Sequence, residues 1–319
     1  MLVPSLVISF GVLMIITRGD VRSKKSEATK RNIMLVLELF NMYIVGKFFP
    51  TLAFKMSYYH HRHKFPDLNN PKDLSEIWYK KTKEGYYLNY FELADKFKVR
   101  EHIINKGYGE ILTPLIAHYY KSDDVDFESL PNRFALKMNF GAGMNIICQD
   151  KSRLNIVESR RKLSLWFKVN NYNPTEKHYS LIEKCAVCEE FIDDGNGGFP
   201  IDYKFMCING KVACILACSG RGNGHADYLP YSLDWEPLYD YYDYYDKSVS
   251  PLRKPNNLNE MIECAEKLSE GIDLVRVDLY SNNKRIWFGE ITLTPAGCVF
   301  HRWSQKALNE LGAIYLNGI

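Results

Sequence analysis

The chain has little net charge: 41 basic and 38 acidic residues leave +3 over 319 positions, too little to argue for nucleic acid. It has no uncharged apolar run of about 20 residues, the length that a membrane-spanning helix needs. It has no secretory-leader pattern, because Arg18, Arg22, Lys24 and Lys25 follow the first apolar stretch, Leu2 to Ile16, rather than precede it. No internal repeat is visible, and no Gly-Lys-Ser/Thr string marks a P-loop. A glycosyltransferase would need a close aspartate pair to hold its metal. The acidic stretch Asp240 to Asp246 spaces its aspartates three apart and does not fit.

What is present suits a protein with a real core, 46% hydrophobic and 25% charged, long enough for one large unit or two to three lobes. The eight cysteines show no pairing pattern, which points to a reducing compartment. Cys185 with Cys188, and Cys214 with Cys218, are near enough to suggest zinc. Both pairs lie in apolar runs that read as strands, whereas structural zinc favours tight turns, so buried thiols are the better reading. The N-terminal apolar segments, Leu2 to Ile16 and Ile33 to Phe54, enclose a basic stretch. That arrangement suits peripheral contact of residues 1–54 with an anionic membrane surface. A helical pair packed on the body of the protein is the alternative.

Along the chain, Lys72 to Lys106 reads as helical from a start signal at Pro71 and Asp73. Ile111 to Tyr119 reads as a strand interrupted by Pro114, and Ser122 to Glu128 as an acidic surface linker. Phe134 to Met138 and Asn145 to Cys148 form a hairpin around Gly141, Ala142 and Gly143, followed by a helix from Val157 to Val169. Cys185 to Ile192 reads as a strand. Tyr203 to Ile208 and Val212 to Cys218 flank Asn209-Gly210, which favours a type I′ turn. A helix from Leu258 to Gly271 precedes a last hairpin, Leu274 to Tyr280 with Ile286 to Ile291. Helices mixed with hairpins predict an α+β fold with largely antiparallel sheets.

Several residues could carry chemistry. Strand alternation puts Arg276, Asp278 and Tyr280 on one side, and Glu290 with Thr292 on one side of the partner strand. If those faces coincide, two carboxylates meet beside an arginine, an arrangement that a divalent cation would stabilise; a solvated face with a local ion pair is the alternative. Lys137 ends a short strand just before the glycine-bearing loop, where backbone N–H groups can approach phosphate oxygens. Glu189, Glu190, Phe191 and Ile192 end a strand at a polar turn, where apolar groups could sandwich a base.

The order of these strings resembles the ATP-grasp superfamily from about Leu68 to Gly312, and more closely the TupA-like ATP-grasp family. Leu-Asn-Asn-Pro (68–71), Ala-Asp-Lys-Phe-Lys-Val-Arg (94–100), Asp-Tyr-Lys-Phe-Met-Cys-Ile-Asn-Gly-Lys (202–211) and Arg-Val-Asp-Leu-Tyr (276–280) carry the resemblance. It implies two α+β lobes clasping ATP. By resemblance, residues 1–56 are an N-terminal extension, 57–125 a region before the grasp, 126–192 the small lobe and 193–319 the large lobe. It implies that Lys96, Arg100 and Lys137 reach the phosphates and that residues 141–143 close over them. Glu189 to Ile192 would line the adenine, and Asp202 would hold the ribose. Asp278 and Glu290 would ligate magnesium, with Arg276 on the transferred phosphoryl group. Thr292 stands where an asparagine ligand often lies, so a second magnesium is in doubt.

The implied activity is ATP-dependent ligation of a carboxylate to an amine through an acyl phosphate, in a cytoplasmic setting. The implied substrates are a uronic acid of cell-envelope polysaccharide and an amino acid or peptide. A glycosyltransferase from the same kind of pathway, or an inactive binding protein on this fold, is the competing expectation.

Overall fold

The structure is a computed structural model and describes residues 45–169, 175–195, 198–222, 225–243 and 249–318. The apolar stretch Leu2 to Ile16 and most of the second N-terminal segment lie outside these residues, as does the end of the acidic stretch at 240–246. Among the described residues no helix is long and apolar enough to cross a membrane.

Helix α1 (Pro50–Arg62) starts on a proline, whose fixed φ suits a first helical turn, and ends on His63 at φ 54°. Helix α2 (Leu74–Lys83) starts at the expected place: the Asp73 carboxylate accepts the Glu76 backbone N–H, and Glu76 reaches back to complete a capping box. The single long helix expected from Lys72 to Lys106 does not form. Gly85 at φ 83° ends α2, a 3₁₀ segment covers Tyr86–Ala94, and helix α3 restarts at Val99–Asn105. The Asp95 carboxylate causes the second break by accepting the backbone N–H groups of Phe97 and Lys98.

Two antiparallel sheets organise the rest. The smaller runs in the order β1 (Leu115–Tyr119), β4 (Ala186–Glu190), β2 (Phe134–Met138), β3 (Asn145–Cys148), with helix α4 (Ile156–Lys168) between β3 and β4. This sheet thus takes its edge strand from before residue 126, because among the described residues β1 pairs with β4 alone. The acidic stretch after β1 is anchored rather than fully exposed, since Val125 and Phe127 are buried.

The larger sheet runs β7 (His225–Tyr231), β6 (Lys211–Gly222), β5 (Ile201–Ile208), β8 (Leu274–Ser281), β9 (Ile286–Thr292). Its β5–β6 turn has Asn209 at φ 53° and Gly210 at φ 75°, the two left-handed positions that the Asn-Gly pair foretold. Helix α5 (Leu258–Ser269) covers one face, burying Met261, Ala265 and Leu268, while Phe205, Val275, Val277 and Leu279 are buried within the sheet. Helix α6 (Gln305–Asn317) packs on α2 at Gly312, where a Cβ would sit 2.3 Å from the Lys72 carbonyl oxygen. Every strand pair is antiparallel.

All eight cysteines are free and buried. Burial pushes the Cys185 and Cys188 thiols up to about 12, so they are neutral packing groups.

Candidate functional site

The site starts from the register of three neighbouring strands. On β5, alternation sends Asp202, Lys204 and Met206 to one face, opposite Tyr280, Asp278 and Arg276 of β8. Across β8, Arg276 faces Thr292 and Asp278 faces Glu290 of β9. A bulge next to Asp278 brings this pair together, and Gly289 permits it, since a Cβ there would lie 2.8 Å from the Asp278 carbonyl oxygen. The expected coincidence of faces is therefore real.

The charges on this face interlock. Arg276 donates to both Asp278 oxygens, at 2.6 and 2.7 Å, and its Nη2 also reaches Glu290 Oε1 at 3.2 Å and Thr292 Oγ1 at 3.0 Å. Lys204 Nζ sits between Asp278 Oδ2 at 2.7 Å and Asp202 Oδ2 at 2.8 Å. Arg221 lies 3.4 Å from Asp202 Oδ2, while Asp202 Oδ1 is buried without a hydrogen-bond partner. Asp202 thus joins the charged face rather than standing apart.

Burial opposes each of these charges, and the partners decide the balance. It disfavours the Asp278 carboxylate, but Arg276 and Lys204 overcome it and hold the group below its usual value. It also disfavours the Lys204 ammonium, which Asp278 and Asp202 hold firmly protonated.

The smaller sheet contributes the opposing half. Lys137 and Glu189 project from the same face of β2 and β4 and pair at 2.5 Å, and Arg100 meets the other Glu189 oxygen at 2.9 Å. Glu189 is buried, so its inward carboxylate orders both cations, whereas Glu190 faces solvent. Phe191 packs edge-on to Phe199 and lies under the Arg133 guanidinium, and Ile192 follows it half-buried.

Lys96 joins the halves. Its Nζ donates to the Gly141 carbonyl at 2.8 Å and lies 3.8 Å from Glu290 Oε2. Burial lowers its pKa, and the like charge of Lys137 adds to the effect against the pull of Glu290. Gly141 at φ 67° and Gly143 at φ 76° let the loop turn at either side of exposed Ala142.

Arg221, Lys204 and Asn139 were not foreseen. Lys204 lies within a string already noted, but its place between two aspartates depends on the β5–β8 register. Asn139 is fully buried and accepts the Cys185 N–H while donating to Asp95 and to the Glu183 carbonyl. Its own carbonyl accepts the Lys96 N–H, so it ties Lys96 to the glycine loop. A buried polar residue just before a glycine loop was the available signal.

Among the described residues no group of three or more His, Cys, Asp or Glu side chains is placed to hold a metal. Two carboxylates on adjacent strands are nonetheless the donor type magnesium takes when phosphate oxygens and water complete its shell. Glu290, one-third exposed beside the Thr292 hydroxyl, is the accessible one. Both Asp278 oxygens are held by Arg276 or Lys204, so its use as a ligand requires one of these cations to turn away. With that movement, the residues fit the ion.

A cavity of about 300 Å³ adjoins this face, lined by Lys204, Arg276, Tyr228, Phe300, His301 and Arg302 among others. Arg302 lies over the Tyr228 ring, 5.2 Å from its centroid.

A TupA-like ATPgrasp family model matches residues 75–316, most of the chain. The protein belongs to that family, and its two antiparallel sheets are the lobes of an ATP-grasp fold. No curated protein matches it. Similar solved structures include a D-alanine–D-alanine ligase from Bacillus anthracis complexed with ATP, at 14% identity and a TM-score of 0.41. An L-amino acid ligase from Bacillus licheniformis aligns at 14% identity and a TM-score of 0.46. The alignments cover 70% and 80% of this chain but 61% and 57% of those two proteins, and likeness at this level carries no argument about activity.

Proposed function

We propose that the protein is an ATP-dependent carboxylate–amine ligase that uses Mg²⁺ and proceeds through an acyl phosphate. The observation that carries this reading is the convergence of Lys96, Lys137, Arg276 and Lys204 with the carboxylates Asp278 and Glu290 between two lobes. A carboxylate is a poor electrophile because oxide is a poor leaving group. Transfer of the ATP γ-phosphoryl group to it creates a phosphate leaving group, and an amine then displaces that phosphate to form an amide.

In this scheme Lys96 and Lys137 bind the ATP phosphates beside the loop at 141–143, and Arg100 keeps Glu189 and Lys137 in place. Glu189 to Ile192 border the adenine, and Asp202 with its unpartnered buried oxygen faces the ribose. Asp278 and Glu290 would hold magnesium, which supplies charge neutralisation at the phosphate oxygens. Arg276 and Lys204, released from Asp278, orient and neutralise the phosphoryl group in transfer. The cavity beside Arg276 receives the carboxylate substrate. The substrates proposed are a uronic acid carboxylate of a cell-envelope glycan and the amine of an amino acid or peptide, joined in the cytoplasm; this rests on family membership.

The test incubates the full chain with Mg-ATP, a glucuronate oligosaccharide and an amino acid mixture, with hydroxylamine as an acyl-phosphate trap. ADP release with hydroxamate or amide formation is the expected result. ATP binding without ADP formation would leave a nucleotide-binding protein, and diphosphate release from a nucleotide sugar would identify a glycosyltransferase.

A further inference from the structure

Helix α1 has two unlike faces. Ala53, Phe54 and Tyr58 are buried, and the Phe54 ring stacks on Tyr79 at 3.8 Å. The other face exposes Leu52, Met56 and Tyr59, at positions that share one side of a helix, and Phe48 and Phe49 continue it just before the first turn. At the far end Phe65 is 67% exposed and stacks on Tyr59 at 4.7 Å. Elsewhere exposed apolar side chains such as Val157 and Leu181 stand singly in other elements, so this patch is unlike the rest of the described surface.

Charge selects its occupant. No aspartate or glutamate occurs between Glu38 and Asp67, while Lys47 and Lys55 lie among the patch residues in sequence. Arg62 and Lys64 are not counted, because Arg62 is buried against Asp243 and Lys64 lies 3.9 Å from the buried Asp73 carboxylate. Aromatic and aliphatic side chains bordered by Lys47 and Lys55, with acidic residues only at the Phe65 end, where Asp67 and Asp73 lie, match an anionic bilayer surface. A second copy packed face to face would set the same lysines against each other.

The helix also ends on the site. Arg62 Nη2 donates to the Phe300 carbonyl at 2.7 Å, and the His61 and His301 rings lie 5.7 Å apart. Phe300 and His301 line the cavity beside Arg276. We propose that the exposed face of α1, with Phe48, Phe49 and Phe65, docks on an anionic lipid surface and so holds that cavity at headgroup level. The docking is independent of the reaction assigned above.

Because every native cysteine is buried, a thiol placed on the surface can be labelled selectively. Full-length Leu52→Cys and Val157→Cys proteins would carry a polarity-sensitive dye and be mixed with phosphatidylglycerol or phosphatidylcholine vesicles. Emission at position 52 is expected to shift to the blue with phosphatidylglycerol only, and emission at 157 to stay constant. Replacing Lys47 and Lys55 with Gln should weaken vesicle binding about fivefold per lysine. Leu52→Glu with Met56→Glu should abolish it while leaving affinity for a non-hydrolysable ATP analogue intact, which shows that the fold survives.

The proposal is overturned if both vesicle types give the same shift or neither gives any. It is overturned in favour of self-association if the shift follows protein concentration without vesicles. Unchanged vesicle binding by the double glutamate variant would also overturn it, by assigning the contact to residues 1–44.

Discussion

The two halves of the site are built on different terms. On the large sheet, Asp278 is 1% exposed and each of its oxygens is taken by Arg276 or Lys204. On the small sheet, Lys137 keeps a quarter of its side chain exposed and pairs with Glu189 beside an open glycine loop. Buried ion pairs are costly to break singly, because the remaining charge is left without a partner in a poorly solvating medium. The large-sheet half is therefore a pre-charged platform whose Asp278 is freed only when one of its own cations gives way, and the small-sheet half is the side that can adapt when phosphate arrives.

The sharpest test of this contrast removes a platform carboxylate. Asp278→Asn or Glu290→Gln should abolish ADP formation, and Asp278→Asn should also lower the melting temperature, because Arg276 and Lys204 lose their shared counter-charge. Near-normal ADP release by either variant would overturn the site assignment.

Next comes Lys204→Met. Loss of a buried charged hydrogen-bond donor should weaken binding of an ATP analogue by about 10- to 100-fold. ADP affinity should change little, since Lys204 is assigned to the transferred phosphoryl group. Equal losses for ATP analogue and ADP, read by calorimetry, would confine Lys204 to a structural role.

Lys137→Ala probes the adaptable half. It should cut turnover by about 10² through a lost phosphate contact, with the melting temperature nearly unchanged because Arg100 still pairs the buried Glu189 carboxylate. A large fall in melting temperature would show that both halves are equally rigid.

The smallest effect concerns pH. Burial, helped by Lys137, holds the Lys96 pKa below its usual 10.5. Nucleotide affinity should therefore fall at a lower pH than for an ordinary lysine, and Lys137→Ala should move that fall upward. The linkage has a definite sign. With the folded pKa below the unfolded one, the charged Lys96 opposes folding below this window. That opposition disappears as pH rises through it towards 10.5. An affinity profile unmoved by Lys137→Ala would separate the two lysines electrostatically.

Periodicity and turn chemistry made much of this architecture legible. Alternation placed Arg276 and Asp278 on one face, Asn209-Gly210 announced the central hairpin, and Pro71 with Asp73 marked the start of a helix. These signals are local, set by backbone preferences within a few residues. The break of the Lys72–Lys106 helix was harder to read, since Asp95 reads equally well as a helical surface residue until its carboxylate is seen capping Phe97 and Lys98.

Order along the chain was enough to identify the family, because strings far apart kept the sequence that the fold requires. The sequence by itself thus indicated most of the strands, their largely antiparallel character and the types of charged group at the site, but not β7, helix α6 or the split of the Lys72–Lys106 segment. Tertiary structure alone decided which charges touch. Lys204 lies 74 positions from Asp278, Asn139 lies 44 from Asp95, and Lys96 meets Glu290 from another segment. Such contacts depend on cross-strand register, a bulge beside Gly289 and the closure of two sheets on each other, and no local preference encodes them.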